Sequence, residues 1–123
     1  MRELGIEIAS VKVGEVELRM PFAQRFSTPP NLFPASMVGA VGDMAAVSSC
    51  LSLLPEGWAA ATLDYTIKMT GQAFGEALIA RGRVLQNGRT TSVGAADIVC
   101  ARDGQEKHCG FVLATTRNFE LKL

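Results

Sequence analysis

The sequence predicts an α+β domain in which one long helix packs against an antiparallel sheet of about six strands. Three observations point there. Between Pro34 and Pro55 lie about twenty residues of alanine, serine, glycine and bulky apolar side chains without a strong helix breaker. The runs on either side of that stretch alternate apolar and polar residues with a period of two, which is strand periodicity. Gly, Asn-Gly and Asp-Gly signals separate the runs as hairpin turns do.

Taken in order, residues 5 to 13 alternate loosely, and residues 15 to 20 place Val16, Leu18 and Met20 on one face with Glu15, Glu17 and Arg19 on the other. Gly14 between them marks a hairpin. The stretch FAQRFSTPPNLF carries two prolines among Ser, Thr and Asn, so it reads as a loop that delivers the chain to the helix. Pro34 suits a first helical turn, where its missing N–H goes unpaired anyway, and Pro55 with Gly57 supplies the stop. Gly39, Gly42 and Ala46 recur at spacings of three and four and make a smooth strip, suited to close backbone approach against a sheet.

From Trp58 onward the chain reads as strands: AATLDYTIKM, a GQAFG connection, ALIARGRVLQ, an Asn87-Gly88 turn, RTTSVGAADIVCAR, an Asp103-Gly104 turn, and a last strand over about residues 106 to 116. Four long strands in succession with tight turns imply antiparallel pairing. One helix covers only one face of such a sheet, and the strands carry small or apolar residues on both. Pairing with another copy, edge to edge or face to face, is therefore expected.

With 123 residues the chain has room for one domain, spanning 1–123. Hydrophobic residues at 48% and charged residues at 20% fit an ordinary soluble protein, and twelve basic residues offset by twelve acidic ones leave no footprint for nucleic acid. Cys50, Cys100 and Cys109 show no CxxC spacing, and His108 is the only histidine, so neither a disulfide framework nor a metal site is expected. The cysteines read as small core residues in a reducing cytosol, and His108 as an ordinary surface or edge residue of a strand. The N-terminus has acids among its apolar residues and lacks a signal peptide's apolar core, which makes the cytoplasm the expected location. The stretch between Pro34 and Pro55 is long enough to cross a membrane. A carboxylate near its middle and its many Gly and Ser residues argue for a buried helix and against a membrane partner.

That carboxylate, Asp43, is the only charge in the stretch. A charge in the most buried-looking segment either finds partners or shifts its pKa, so it is the first functional candidate. Its context sharpens the point. Val41-Gly42-Asp43 on the helix, the later Thr62-Leu63-Asp64-Tyr65-Thr66-Ile67 and the hairpin end Gly88-Arg89 resemble the phenylacetate-degradation branch of the hotdog-fold acyl-CoA thioesterases, over roughly residues 6 to 117. That branch carries His-Gly-Gly at the start of its central helix and an acid nine positions after the histidine. Nine positions before Asp43 this chain has Pro34, so Pro34-Ala35-Ser36 stands where the family has His-Gly-Gly. The family's asparagine, six residues before the histidine, falls on Thr28, and a small loop shift lets Asn31 stand in.

The resemblance implies the hotdog fold, a homodimer or dimer of dimers, and hydrolysis of an acyl-CoA thioester. Such a site needs a base or nucleophile, donors for the oxyanion and a way to orient water. The resemblance gives Asp43 the first role and lets Thr62 orient the water. Ala35 and Ser36, at the helix N-terminus, have backbone N–H groups suited to the oxyanion. Arg89 is a candidate for a coenzyme A phosphate. No cofactor and no metal are called for. Each residue also has a structural alternative: Asp43 as an acid paired across an interface, Thr62 as a β-branched strand residue, Ser36 as a cap, Arg89 as a solvated charge. Phe22, Phe26, Phe33, Leu51 and Leu54 read either as an acyl pocket or as core. The replaced motif keeps a second functional reading open, a hotdog protein that binds an acyl-CoA or similar ligand without turnover. A dehydratase on this fold wants a histidine in the helix-side site, and this helix has none.

Overall fold

The structure is a computed structural model that describes residues 5–21 and 32–122. Its elements are β1 (Glu7–Lys12), β2 (Glu15–Pro21), α1 (Ala35–Leu51), β3 (Trp58–Met69), β4 (Ala77–Asn87), β5 (Thr91–Arg102) and β6 (Gln105–Glu120). The strands form one antiparallel sheet in the order β1-β2-β4-β5-β6-β3, and α1 lies across one face of it. This is the hotdog architecture that the resemblance implies.

The core forms where the period-two faces of the strands meet the helix. Val16, Leu18, Met20, Leu78, Ile98 and Val112 are buried beneath Val38, Val41 and Ala45. The small-residue strip does what its spacing predicts. A Cβ on Gly42 would come within 2.5 Å of Val112 Cγ2 and 2.9 Å of Ile98 Cδ1. The sheet answers with its own glycines: a Cβ on Gly82 would collide with the carbonyl oxygen of Ala45, and one on Gly94 would meet that of Ala46 at 2.8 Å. The C-terminal end of the helix is tied to the β1-β2 hairpin through serines. Val16 N donates to Ser49 Oγ (3.1 Å) and Gly14 N donates to Ser52 Oγ (2.7 Å). Gly14, at φ 82°, makes the turn that presents these amides.

Three sequence expectations change in detail. The helix stops at Leu51 with Ser52 as its C-cap, short of Pro55, and Pro34 is the residue before the first turn, extended at φ −67° and ψ 153°. Asn87 and Gly88 do mark a chain reversal, but neither takes a positive φ, and three residues separate β4 from β5. Asp103 (φ 52°) and Gly104 (φ 76°) instead form the tight turn their sequence predicts. The four C-terminal strands are antiparallel, yet β3 and β4 are not neighbours. β3 pairs with β6 at the far edge, and β4 sits between β2 and β5. The connection between them crosses the sheet and meets the approach to the helix, where Phe33 N donates to Ala73 O (2.7 Å) and Leu32 bridges Phe74. Cys50, Cys100 and Cys109 are buried and unpaired. No helix among the described residues is long and apolar enough to cross a membrane.

Because the atom facing Gly82 belongs to helix backbone, Gly82→Ala cannot be absorbed by a rotamer change. A loss of about 1 to 3 kcal/mol, as for overpacked cores, is expected in urea or thermal unfolding. A Tm within a degree of wild type would show that the helix does not depend on this approach.

Candidate active site

Asp43 lies on the third turn of α1, on the flank of the helix that faces β3. Its carboxylate is half-buried. Thr62 Oγ1 donates to it at 3.0 Å from Oδ1 and 3.3 Å from Oδ2. Burial pushes the Asp43 pKa up from the ordinary 3.8, and the Thr62 hydrogen bond opposes that push without cancelling it. A carboxylate held by one hydroxyl among the described residues has the chemistry to take a proton from a water molecule.

Tyr65 of β3 reaches this flank as Thr62 does. Thr62 pairs with the buried Thr116, and Tyr65 pairs with the buried Ala114, so both point to the helix side of the sheet. They are three residues apart, and strict alternation would set them on opposite faces. An irregularity in register between Thr62 and Asp64 brings them to the same side. The Tyr65 ring and hydroxyl lie against Gly39, one turn before Asp43; a Cβ there would meet Tyr65 Oη at 3.3 Å. Sequence reading missed Tyr65, because the alternation that assigns faces fails at the bulge.

The remaining predicted residues lie apart from Asp43. Ala35 and Ser36 form the exposed start of the helix. Met37 N and Val38 N bond to Pro34 O, which leaves the Ala35 and Ser36 amides without an acceptor among the described residues. A helix rises 1.5 Å per residue, so these amides stand about 10 to 12 Å from Asp43 along the axis. Arg89 is exposed at the other end of the helix, lining a cleft of about 390 Å³ with Leu54, Pro55, Trp58 and Asn87. Trp58 begins the same strand that carries Thr62, about 13 Å away along it. Asn31, Phe22 and Phe26 lie outside the described residues. Phe33 is core, while Leu51 lines an apolar groove of about 350 Å³ with Ile8, Val11 and Met44. Among the described residues no group of His, Cys, Asp or Glu is arranged to hold a metal ion.

The flank of α1 that holds Asp43 looks onto an edge of the sheet. Among the described residues β3 has β6 on one side and no strand on the other, and its residues 61 to 66 are exposed.

No protein-family model and no curated protein matches the sequence. Solved structures do. A thioesterase family protein from Silicibacter pomeroyi is 30% identical, with a TM-score of 0.94 over 98% of this chain and 88% of that one. A thioesterase from Haemophilus influenzae is 22% identical, with a TM-score of 0.89 over 99% of this chain and 83% of that one. The PaaI protein from the phenylacetic acid degradation operon of E. coli is 22% identical, with a TM-score of 0.84 over 98% of this chain and 86% of that one. The latter two share the fold.

The raised Asp43 pKa has a consequence for stability. Between pH 3.8 and the raised folded value the native state holds the proton more tightly than the unfolded chain, so stability falls as pH rises through that window. Asp43→Asn removes the ionisation and keeps an acceptor for Thr62. The variant is expected to be at least as stable as wild type at pH 7, with the gap closing below pH 3.8. Paired thermal melts across that range check it; a variant clearly less stable at pH 7 would mean the charged form is favoured.

Proposed function

The chain belongs to the thioesterase family, and on that premise we propose that it hydrolyses an acyl-CoA thioester to the free acid and coenzyme A, with Asp43 as general base. The observation that carries this reading is the Asp43–Thr62 pair, a half-buried carboxylate with a raised pKa and open lone pairs at the free edge of the sheet. The Thr62 proton points at the carboxylate, which leaves the hydroxyl oxygen to accept from the attacking water. Asp43 takes one proton of that water as its oxygen bonds to the thioester carbon. Collapse of the tetrahedral intermediate breaks the carbon–sulfur bond, and the leaving thiolate takes the proton back from Asp43.

The site calls for a second copy of the chain. A carbonyl carbon attacked from 3 to 3.5 Å by a water that touches Asp43 has its oxygen within roughly 6 to 7 Å of the carboxylate. The chain's own Ala35 and Ser36 amides are too far away, and they point out beyond the helix start. A second copy placed antiparallel along β3 brings its helix N-terminus towards this Asp43, and the long edge of β3, unpaired among the described residues, favours such an addition. On this reading the Ala35 and Ser36 amides of one copy serve the Asp43 of the other in a homodimer, which can pair again as a dimer of dimers. Arg89, at the cleft beside Trp58, takes a coenzyme A phosphate at a distance that the pantetheine arm spans. Asn31 stands in for the family's asparagine before the helix by resemblance alone. Three unpaired cysteines fit a cytoplasmic location.

Thiol release from short, medium and aryl acyl-CoAs tests the chemistry. Asp43→Asn is expected to lose on the order of 100-fold or more in kcat. In wild type, kcat/KM is expected to fall on the acid side with a midpoint above 3.8, because the base is lost when Asp43 is protonated. Undiminished hydrolysis by the variant removes Asp43 from the mechanism; tight binding of a non-hydrolysable analogue with no turnover favours the ligand-binding reading.

Subunit complementation tests the shared site. Pro34 already has the extended backbone required of a residue before proline, so Ala35→Pro deletes one amide hydrogen at little structural cost. Co-refolding inactive Asp43→Asn with weakened Ala35→Pro chains is expected to restore up to about a quarter of wild-type activity, since each mixed dimer holds one intact site. Mixtures no more active than the sum of their parents would place the whole site in one chain.

A further inference from the structure

Tyr65 is a polar side chain beside the Asp43 flank that the hydrolytic reading leaves unused. It is a large residue, 41% exposed, although its strand neighbours Ala114 and Val112 on the same side of the sheet are buried. Its hydroxyl has no hydrogen-bond partner among the described residues. The position is fixed from both sides: the backbone pairing with Ala114 orients the side chain towards the helix, and Gly39 leaves the space that the ring edge and hydroxyl occupy. Gly39 and Asp43 are four residues apart on one helix face, where side-chain origins lie about 5 to 6 Å from one another. The hydroxyl therefore stands beside Gly39, one helical turn nearer the helix start than residue Asp43.

That separation is what a hydrolytic site requires between its base and a donor for the developing negative charge. The water must touch Asp43, the carbonyl carbon must lie 3 to 3.5 Å from the water, and the donor must lie 2.7 to 3.1 Å from the carbonyl oxygen. A phenol in this place is a single O–H donor that needs no backbone rearrangement to act.

We propose that Tyr65 is a catalytic residue whose hydroxyl donates a hydrogen bond to the thioester carbonyl oxygen as charge builds on it, alongside the backbone amides of the second copy's helix start. The assignment rests on the hydrolytic reading of Asp43. It gives a side chain of this chain part of the task of stabilising the oxyanion, at a site whose helix start has Ala35 and Ser36 in place of two glycines. The donor also limits the substrate: the acyl carbonyl must face Gly39, with the acyl group passing beside the ring.

Tyr65→Phe keeps the ring against Gly39 and removes only the donor. With a thioester that wild type hydrolyses, kcat is expected to fall on the order of 100-fold, with KM within about twofold and the acid limb of the pH profile in place, because Asp43 is untouched. Tm and particle mass are to be measured alongside and are expected to match wild type. A second readout uses two inert coenzyme A thioethers, one with a ketone one methylene from sulfur and one a plain alkyl chain. The variant is expected to bind the ketone about tenfold more weakly than wild type does and the alkyl compound equally well. Wild-type kcat in Tyr65→Phe, or a loss confined to KM with both thioethers bound as before, overturns the assignment and leaves the Asp43 reading standing. Failure of wild type to hydrolyse any thioester overturns both.

Discussion

The close approach of the α1 backbone to the sheet is the constraint on which the rest of the structure depends. At Gly82 and Gly94 the strands present no side chain, and the Ala45 and Ala46 carbonyls of the helix fill the space. Gly42, on the helix, lies over Val112 and Ile98 in the same manner. Contact at this range fixes the rotation of the helix about its axis as well as its height, because only the small-residue strip fits the surface below. With the rotation fixed, Asp43 must leave the helix on the flank towards β3. The serines that accept the Gly14 and Val16 amides brace the opposite flank, so the helix is held from both sides.

Much of this was legible in the sequence because it is written in local patterns. The Gly39, Gly42 and Ala46 spacing gives the packing strip, a lone acid in an apolar run gives Asp43, and Asp103-Gly104 gives a tight turn that both positive φ values require. What was not legible depends on distant partners. Nothing within β3 says that its neighbour is β6, since the pairing is decided by how the sheet closes over the helix. Nothing in the Thr62 to Tyr65 run says where the alternation slips, because a bulge is set by the fit to the opposite strand. The place of Thr62 was legible through the family resemblance, whereas nothing local in the sequence sets Tyr65 against Gly39. Asn87-Gly88 shows the other limit: the pair marks a reversal, but its residues keep ordinary backbone angles when the loop has a third residue to spare.

The charged groups on the other face of the sheet form a separate system. Arg81 bridges Glu17 and Glu106, and Asp97 bonds to both Arg83 and His108, whose other ring nitrogen meets Thr70 Oγ1 at 2.6 Å. Burial raises the Asp97 pKa, but His108 and Arg83 outweigh it and hold the carboxyl below its ordinary value, while Arg81 lowers that of Glu106. These pairs are largely solvated and contribute little stability each. Their place matters more than their energy. His108 pairs with Val99 and reaches Asp97 on the face away from α1, so it cannot replace the helix-start histidine that the family resemblance leads one to look for.

Pro34-Ala35-Ser36 in place of the His-Gly-Gly that the resemblance leads one to expect would have unequal consequences for the parts of the proposed site. Amide hydrogens come with almost any residue, so a helix start can exchange Gly-Gly for Ala35-Ser36 and still present donors, provided the residue before it stays extended, as Pro34 does at ψ 153°. Such an exchange would add side chains at the mouth of the proposed site and narrow the approach. A base has no such freedom. It must be a titratable side chain at one rotation of the helix, next to a hydroxyl that orients it, in surroundings dry enough to raise its affinity for a proton. In the proposed site Asp43 would meet those conditions, because the glycine contacts below hold the helix and β3 carries Thr62 to the same flank. In the proposed site, the half that the backbone would supply can therefore drift in sequence, while the half that would depend on one carboxylate is held in place by the packing of the whole fold.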